Sequence, residues 1–139
     1  MTLFVDTSVW SLALRRDGPD PSPEVDALTA ALRGGESLVT TGLVLQEVLQ
    51  GFAGPRARKQ IVEHFAALPV IVPDRRDHIE AADLRNLCRR KGLQLGTIDA
   101  LFAQLCVRHD LLMLSTDRDF HRAAQHIDLR VWSARSPHN

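Results

Sequence analysis

The chain is poor in the groups that would declare a class at once. It has only two cysteines, Cys88 and Cys106, without CxxC spacing and with no histidine beside them at ligand spacing. That argues against a disulfide scaffold and a zinc site, and both read as buried, reduced thiols that serve packing. Neither sign of charge is in surplus: 17 Lys and Arg face 17 Asp and Glu, so no global basic field points to nucleic acid. No apolar run approaches the length needed to span a bilayer. The N-terminus has no basic segment, and Asp6 interrupts its apolar residues, which argues against a secretory signal. His64, His78, His109, His121, His126 and His138 form no ligand-spaced pair and read mostly as surface. No internal repeat or linker is visible. A cytoplasmic protein is the expectation.

What is present is the material of one ordinary globular domain. With 139 residues, 45% hydrophobic and 24% charged, the chain can bury a real core. Residues 1–134 read as that domain and 135–139 as a tail. Leu3 to Val5 is an apolar run ending at Asp6, consistent with a buried first strand. Thr7 or Ser8 can cap the helix that follows, which carries Val9, Trp10, Leu12 and Leu14. Asp17-Gly18-Pro19-Asp20-Pro21 is a loop by its turn chemistry. Ser22 reads as an N-cap with Pro23 at the first helical position, and Gly34-Gly35 stops that helix.

Ser37 to Thr40 is a second strand, and Thr41 or Gly42 opens a helix through Phe52. Gly54-Pro55 starts another, with Ile61, Val62, Phe65 and Ala66 at core spacing. Val70 to Val72 is a short strand bracketed by prolines. Asp77 to Lys91 reads as a helix ended by Gly92, and Thr97 caps a nearly all-apolar helix through Val107. Leu111 to Leu114 is a fourth strand, Asp117 to Gln125 a helix, and Leu129 to Trp132 a fifth, short strand. Strands alternating with helices imply an α/β fold, a mostly parallel sheet covered on both faces.

Against that frame four acids stand out: Asp6, Glu47, Asp99 and Asp117. In open α/β sheets, ligands bind beyond the carboxyl ends of the strands. Asp6 is the first residue past strand one, and Asp117 follows strand four after Ser115 and Thr116. Asp99 lies near the start of its helix and shares a face with Phe102 and Ala103. Glu47 shares its face with Leu43, Val44 and Gly51, while Gln46 and Gln50 take the other side. A carboxylate in an apolar setting needs a partner. Any one of the four could be a cap or a locally satisfied acid; four in such places point to a shared cation. An all-carboxylate set suits Mg²⁺ or Mn²⁺. Asp119 is either a fifth member or a helix-start acid, and the second reading is preferred. With four acids neutralised, the 17 basic residues would exceed the remaining acids by four. Arg85, Arg89, Arg90, Arg118 and Arg122 are then candidates for phosphate contacts, against the plainer reading of solvated helix faces.

Four segments carry a resemblance. Val5-Asp6-Thr7-Ser8-Val9-Trp10, Gln46-Glu47-Val48-Leu49-Gln50-Gly51, Asp99-Ala100-Leu101-Phe102-Ala103 and Ser115-Thr116-Asp117-Arg118-Asp119-Phe120 resemble, in order, the motifs of PIN domains. The likeness is greatest to the toxins of VapBC-type toxin–antitoxin pairs and covers essentially the whole chain. It implies a three-layer α/β/α fold and a metal-dependent ribonuclease leaving a 5′-phosphate and a 3′-hydroxyl. It also implies that Asp6, Glu47, Asp99 and Asp117 are the catalytic, metal-holding quartet, with Thr7 and Ser115 as hydroxyl neighbours. An RNA substrate, a small antitoxin inserting into the acidic site and a homodimer are further implications. The loop from Gly18 to Pro23 and the tail match no family pattern, so the choice of RNA is left open. A housekeeping RNA-processing nuclease would share this site. A phosphoacceptor receiver module is a rival of another class, but Asp6 is followed by Thr7 rather than by a second acid, and the fit is poor.

Overall fold

The structure is a computed structural model and describes residues 1–15, 18, 21–34 and 36–134. Among the described residues, five strands form one sheet: β1 (Thr2–Val5), β2 (Ser37–Thr41), β3 (Val70–Ile71), β4 (Leu112–Leu114) and β5 (Arg130–Val131). Their spatial order is β3-β2-β1-β4-β5, and every neighbouring pair is parallel. The mostly parallel expectation thus becomes a wholly parallel sheet. β1 is the central strand, and Leu3, Phe4 and Val5 are all but inaccessible to water. That is why this strand is a continuous apolar run without alternation.

Among the described residues, seven helices accompany the sheet: α1 (Thr7–Ala13), α2 (Pro23–Leu32), α3 (Gly42–Gly51), α4 (Pro55–Phe65), α5 (Arg75–Arg90), α6 (Thr97–His109) and α7 (Arg118–Ala123). Right-handed crossovers place α1 to α4 on one face, because β1 to β3 run outward in one direction. The chain then returns past β1 to β4 and β5, which puts α5 to α7 on the other face. The result is a three-layer α/β/α sandwich. On the second face Phe102 of α6 packs on Phe4, with ring centroids 5.3 Å apart. Residues 100–106 of α6 are all buried, as its apolar sequence requires. On the first face Trp10 meets Phe65 of α4 at 4.7 Å. Among the described residues, no helix is long and apolar enough to cross a membrane.

Several element ends differ from the sequence reading, each for a local reason. The first helix begins at Thr7, and Asp6 is its N-cap; Asp6 gives no side-chain cap bond because its carboxylate is engaged elsewhere. Ser22 does cap α2, accepting from the Val25 N–H at 3.1 Å, with Pro23 inside the first turn. α5 starts two residues before Asp77, since Asp74 and Asp77 form a reciprocal capping box. Gly96, not Thr97, is the N-cap of α6, which places Asp99 at the third helical position. α6 runs on to His109, where Asp110 takes the left-handed conformation at φ 56°. The helix expected over Asp117 to Gln125 is shorter, with Asp117 as its cap. Asp17, Pro19, Asp20, Gly35 and the tail 135–139 lie outside the described residues.

The α5–α6 pair is held by polar as well as apolar contacts. Gln104 Nε2 donates to Glu80 Oε2 at 2.7 Å, and Arg108 Nη1 donates to Asp77 Oδ2 at 2.5 Å. Asp77 is fully buried. Burial alone would raise its carboxyl, but the Asp74 backbone N–H and the Arg108 guanidinium outweigh it, and the net displacement is downward. Asp77→Ala removes one half of the capping box and leaves Arg108 with the more distant Asp74. It should lower stability by about 1–2 kcal/mol, read as a shifted urea midpoint at unchanged slope.

Candidate active site

The strand order reverses at β1, which has β2 on one side and β4 on the other. That is the topological switch point, where an open parallel sheet leaves a crevice past its carboxyl ends. Val5 is in register with Leu114, so the next residues, Asp6 and Ser115, emerge side by side. The Asp6 N–H donates to the Leu114 carbonyl at 2.9 Å and extends the ladder by one step.

Hydroxyls orient the carboxylates around that crevice. Asp6, only 6% exposed, accepts at Oδ2 from Ser8 Oγ and from Ser115 Oγ, both at 2.8 Å. Ser115 Oγ also accepts from the Asp117 N–H at 3.0 Å, and Ser8 Oγ accepts from the Thr116 N–H at 3.2 Å. Thr7 Oγ1 donates to Glu47 Oε1 at 2.6 Å, which ties α1 to α3. Asp117 Oδ1 accepts from the Asp119 N–H at 2.9 Å. Three acids therefore use one oxygen locally and leave Asp6 Oδ1, Glu47 Oε2 and Asp117 Oδ2 without a bond to any other described residue.

Asp99 lies in the field of these charges. Burial comes first, then the negative charges of Asp6, Asp117, Glu47 and Asp119, and together they push its carboxyl up to about 6. Neither of its oxygens bonds to another described residue. The expected quartet thus shares one electrostatic site. Asp119 contributes to that field while serving as a helix-start acid, paired with Arg122 at 2.6 Å. Among the described residues, no three His, Cys, Asp or Glu side chains are drawn up as a ready-made metal cage. The donor set nevertheless fits a hard divalent cation: oxygens only, Asp6 and Glu47 oriented by hydroxyls and Asp117 by a backbone N–H, with at least one oxygen of each acid to spare.

The sequence offers Ser8 only as a cap, yet it bridges Asp6 to the β4 end. Its signal was the two-residue spacing after an acid that leaves a strand. Of the arginines singled out, Arg85 donates to the Leu95 carbonyl at 2.8 Å, and Arg122 is held by Asp119. Arg89 and Arg90 close α5, where positive charge suits the helix dipole. Arg118 bonds to no other described residue. Cys88 and Cys106 are buried and reduced. Burial, reinforced by the charge of Asp6, pushes the Cys106 thiol well above the usual range, so it stays protonated.

Comparison with known proteins agrees with this fold. The PIN domain family model matches residues 3–125. A VapC ribonuclease of Mycobacterium bovis is 30% identical over 122 residues, covering 85% of this chain and 92% of its own. Among solved structures, VapBC2 of Rickettsia felis, bound to a DNA fragment from its promoter, superposes with a TM-score of 0.74. That match is at 18% identity and covers 95% of this chain and 98% of the other. VapC20 of Mycobacterium tuberculosis, a toxin that cleaves the sarcin–ricin loop, gives 0.67 at 19% identity, over 92% and 98% of the two chains. Motifs in order, a parallel sheet with its acids at the switch point, and a family match across most of its length agree: this chain belongs to the PIN domain family, among the relatives of VapC.

Proposed function

We infer that this chain is a Mg²⁺- or Mn²⁺-dependent endoribonuclease acting as the toxin of a toxin–antitoxin pair. The observation that carries the reading is the β1/β4 crevice, where Ser8 and Ser115 hold Asp6 and Ser115 also receives the Asp117 N–H, with the nearby charges raising the Asp99 carboxyl. A divalent cation, when bound there, supplies Lewis-acid activation of water and neutralises charge on the phosphodiester. Asp6 and Asp99 would hold it from opposite elements, Asp6 being kept in place by Ser8 and Ser115. Glu47, positioned by Thr7, keeps Oε2 open to take the proton of an attacking water. Asp117, anchored through Asp119 and Ser115, completes the set on the β4 side. The name of the Mycobacterium bovis relative supports ribonuclease chemistry.

Purified chain should cleave single-stranded RNA with Mg²⁺ or Mn²⁺ and stop on excess EDTA. Cleavage that continues unchanged in EDTA would falsify the mechanism.

The toxin assignment adds two partners. A crevice in which Asp6, Glu47, Asp99 and Asp117 have no ion pair with any described residue is a natural target for an inserted Arg or Lys. The small antitoxin would place such a residue there from its C-terminal segment, and the chain would act as a homodimer. Co-expression with the neighbouring small gene should yield a complex whose nuclease activity returns when the partner is digested. A neighbouring gene that encodes no inhibitor would favour a housekeeping RNA-processing role instead.

A further inference from the structure

Next to the acids lies a second feature that the metal chemistry does not use. A cavity of about 540 Å³ opens on the β4–β5 side of the crevice. Its walls include Glu24 from the first turn of α2, Ser115 and Thr116 beyond β4, Arg118 and His121 on α7, and Trp132 beyond β5. Ser115 belongs to both sites, because the hydroxyl that holds Asp6 Oδ2 at 2.8 Å also lines this cavity. Whatever fills the cavity is therefore one side chain away from the reacting centre. Its volume falls within the roughly 300–1,000 Å³ of small-ligand sites.

We propose that this cavity receives the nucleotide flanking the scissile phosphate, with its base stacked on Trp132 and its phosphate held by Arg118. The proposal rests on the ribonuclease reading and names the contacts that would select the RNA. The chemistry of the wall matches a single-stranded nucleotide group by group. Stacking needs a partly exposed aromatic ring, and Trp132 is half-buried, its backbone N–H pinned to the Met113 carbonyl at 2.8 Å. Phosphate needs a cation not already spent. Arg118 carries no bond to another described residue, although Asp119 is its neighbour in sequence and takes Arg122 instead. His121 adds a second donor, and the Glu24 carboxylate offers an acceptor for a base N–H. By contrast, the cavity of about 380 Å³ between α3, α5 and α6 is walled mainly by Leu43, Ala81, Ala82, Ile98, Ala100 and Leu101, and neither Ser115 nor any other hydroxyl that holds an acid lines it.

The chain has two tryptophans, and Trp10 is only 1% exposed, so Trp132 is the fluorophore that RNA can reach. The whole protein is titrated with a fluorescently end-labelled five-nucleotide RNA in Ca²⁺, with gel analysis confirming that the RNA stays intact. RNA should quench tryptophan emission in wild type and not in Trp132→Phe, whereas Trp132→Phe should keep most of the affinity read by anisotropy. Trp132→Ala should weaken that affinity and raise KM for Mg²⁺-dependent cleavage by about 5- to 150-fold, the range of one lost stack, with kcat changed far less. Arg118→Ala should weaken binding and reduce the salt dependence by about one counterion.

Trp132→Ala with wild-type affinity and KM overturns the proposal and leaves the ribonuclease reading standing. A loss that Phe does not rescue, in step with a lowered melting temperature, makes Trp132 a structural residue and also overturns it. Quenching by the inhibitory partner but not by RNA assigns the cavity to protein and overturns it too. RNA that quenches Trp132 but is never cleaved in Mg²⁺ or Mn²⁺ supports the subsite and removes the ribonuclease reading.

Discussion

Asp99→Asn should abolish RNA cleavage, with a fall in kcat on the order of 10³-fold or more, while the protein remains folded. The substitution keeps the shape of the side chain and removes one anionic oxygen from the centre of the carboxylate field. Asp6→Ala should be equally inactive, because it takes away the acid that Ser8 and Ser115 hold in place. The two variants differ in what else they disturb. Asp6→Ala strips two hydroxyls of their acceptor at the β1/β4 junction, whereas Asp99→Asn breaks no bond to a described residue. Single-turnover cleavage with saturating enzyme isolates the chemical step. Residual activity above about a tenth of wild type in Asp99→Asn would remove Asp99 from the centre.

The second large effect is on stability and has opposite signs with and without metal. The Asp99 carboxyl is raised in the folded chain from 3.8 to about 6, so the fold binds its proton more tightly than the unfolded chain does. Metal-free wild type should therefore gain stability as pH falls from 6 toward 4 and lose it as pH rises through 6. Asn at this position removes the charge. Metal-free Asp99→Asn should be the more stable protein near neutrality by on the order of 1 kcal/mol, a figure reduced for partial exposure to solvent. That advantage should vanish near pH 4, where the wild-type carboxyl is neutral. Saturating Mg²⁺ should then stabilise wild type by about 1–3 kcal/mol and the variant much less. Thermal melts of both proteins at two pH values, with and without Mg²⁺, read all of this. A variant that melts lower without metal and keeps the full Mg²⁺ shift would make Asp99 a structural acid.

Much of the candidate site was legible in the residues because its chemistry conflicts with its setting. Asp6, at the end of an apolar run, and Asp99, on the face of Phe102 and Ala103, are acids that packing alone does not explain. Helix starts were less legible. Asp74 and Asp77 three residues apart can form a reciprocal box, and only the fold shows that both halves are made. Gly96 is the cap of α6 because of its extended backbone, φ −69° and ψ 160°, rather than any side-chain bond.

The amino-acid sequence by itself determined that this is a parallel α/β domain with an all-oxygen acidic site, since periodicity and the cost of burying charge act locally. The tertiary structure alone decided that β4 lies beside β1, which brings Ser115 onto Asp6 across 109 positions of sequence. It decided equally that Ser8 bridges the two strand ends and that Trp132 lines a cavity next to the acids. These depend on contacts between distant segments, whose free energy is realised only when the whole sheet closes, and no local pattern encodes them.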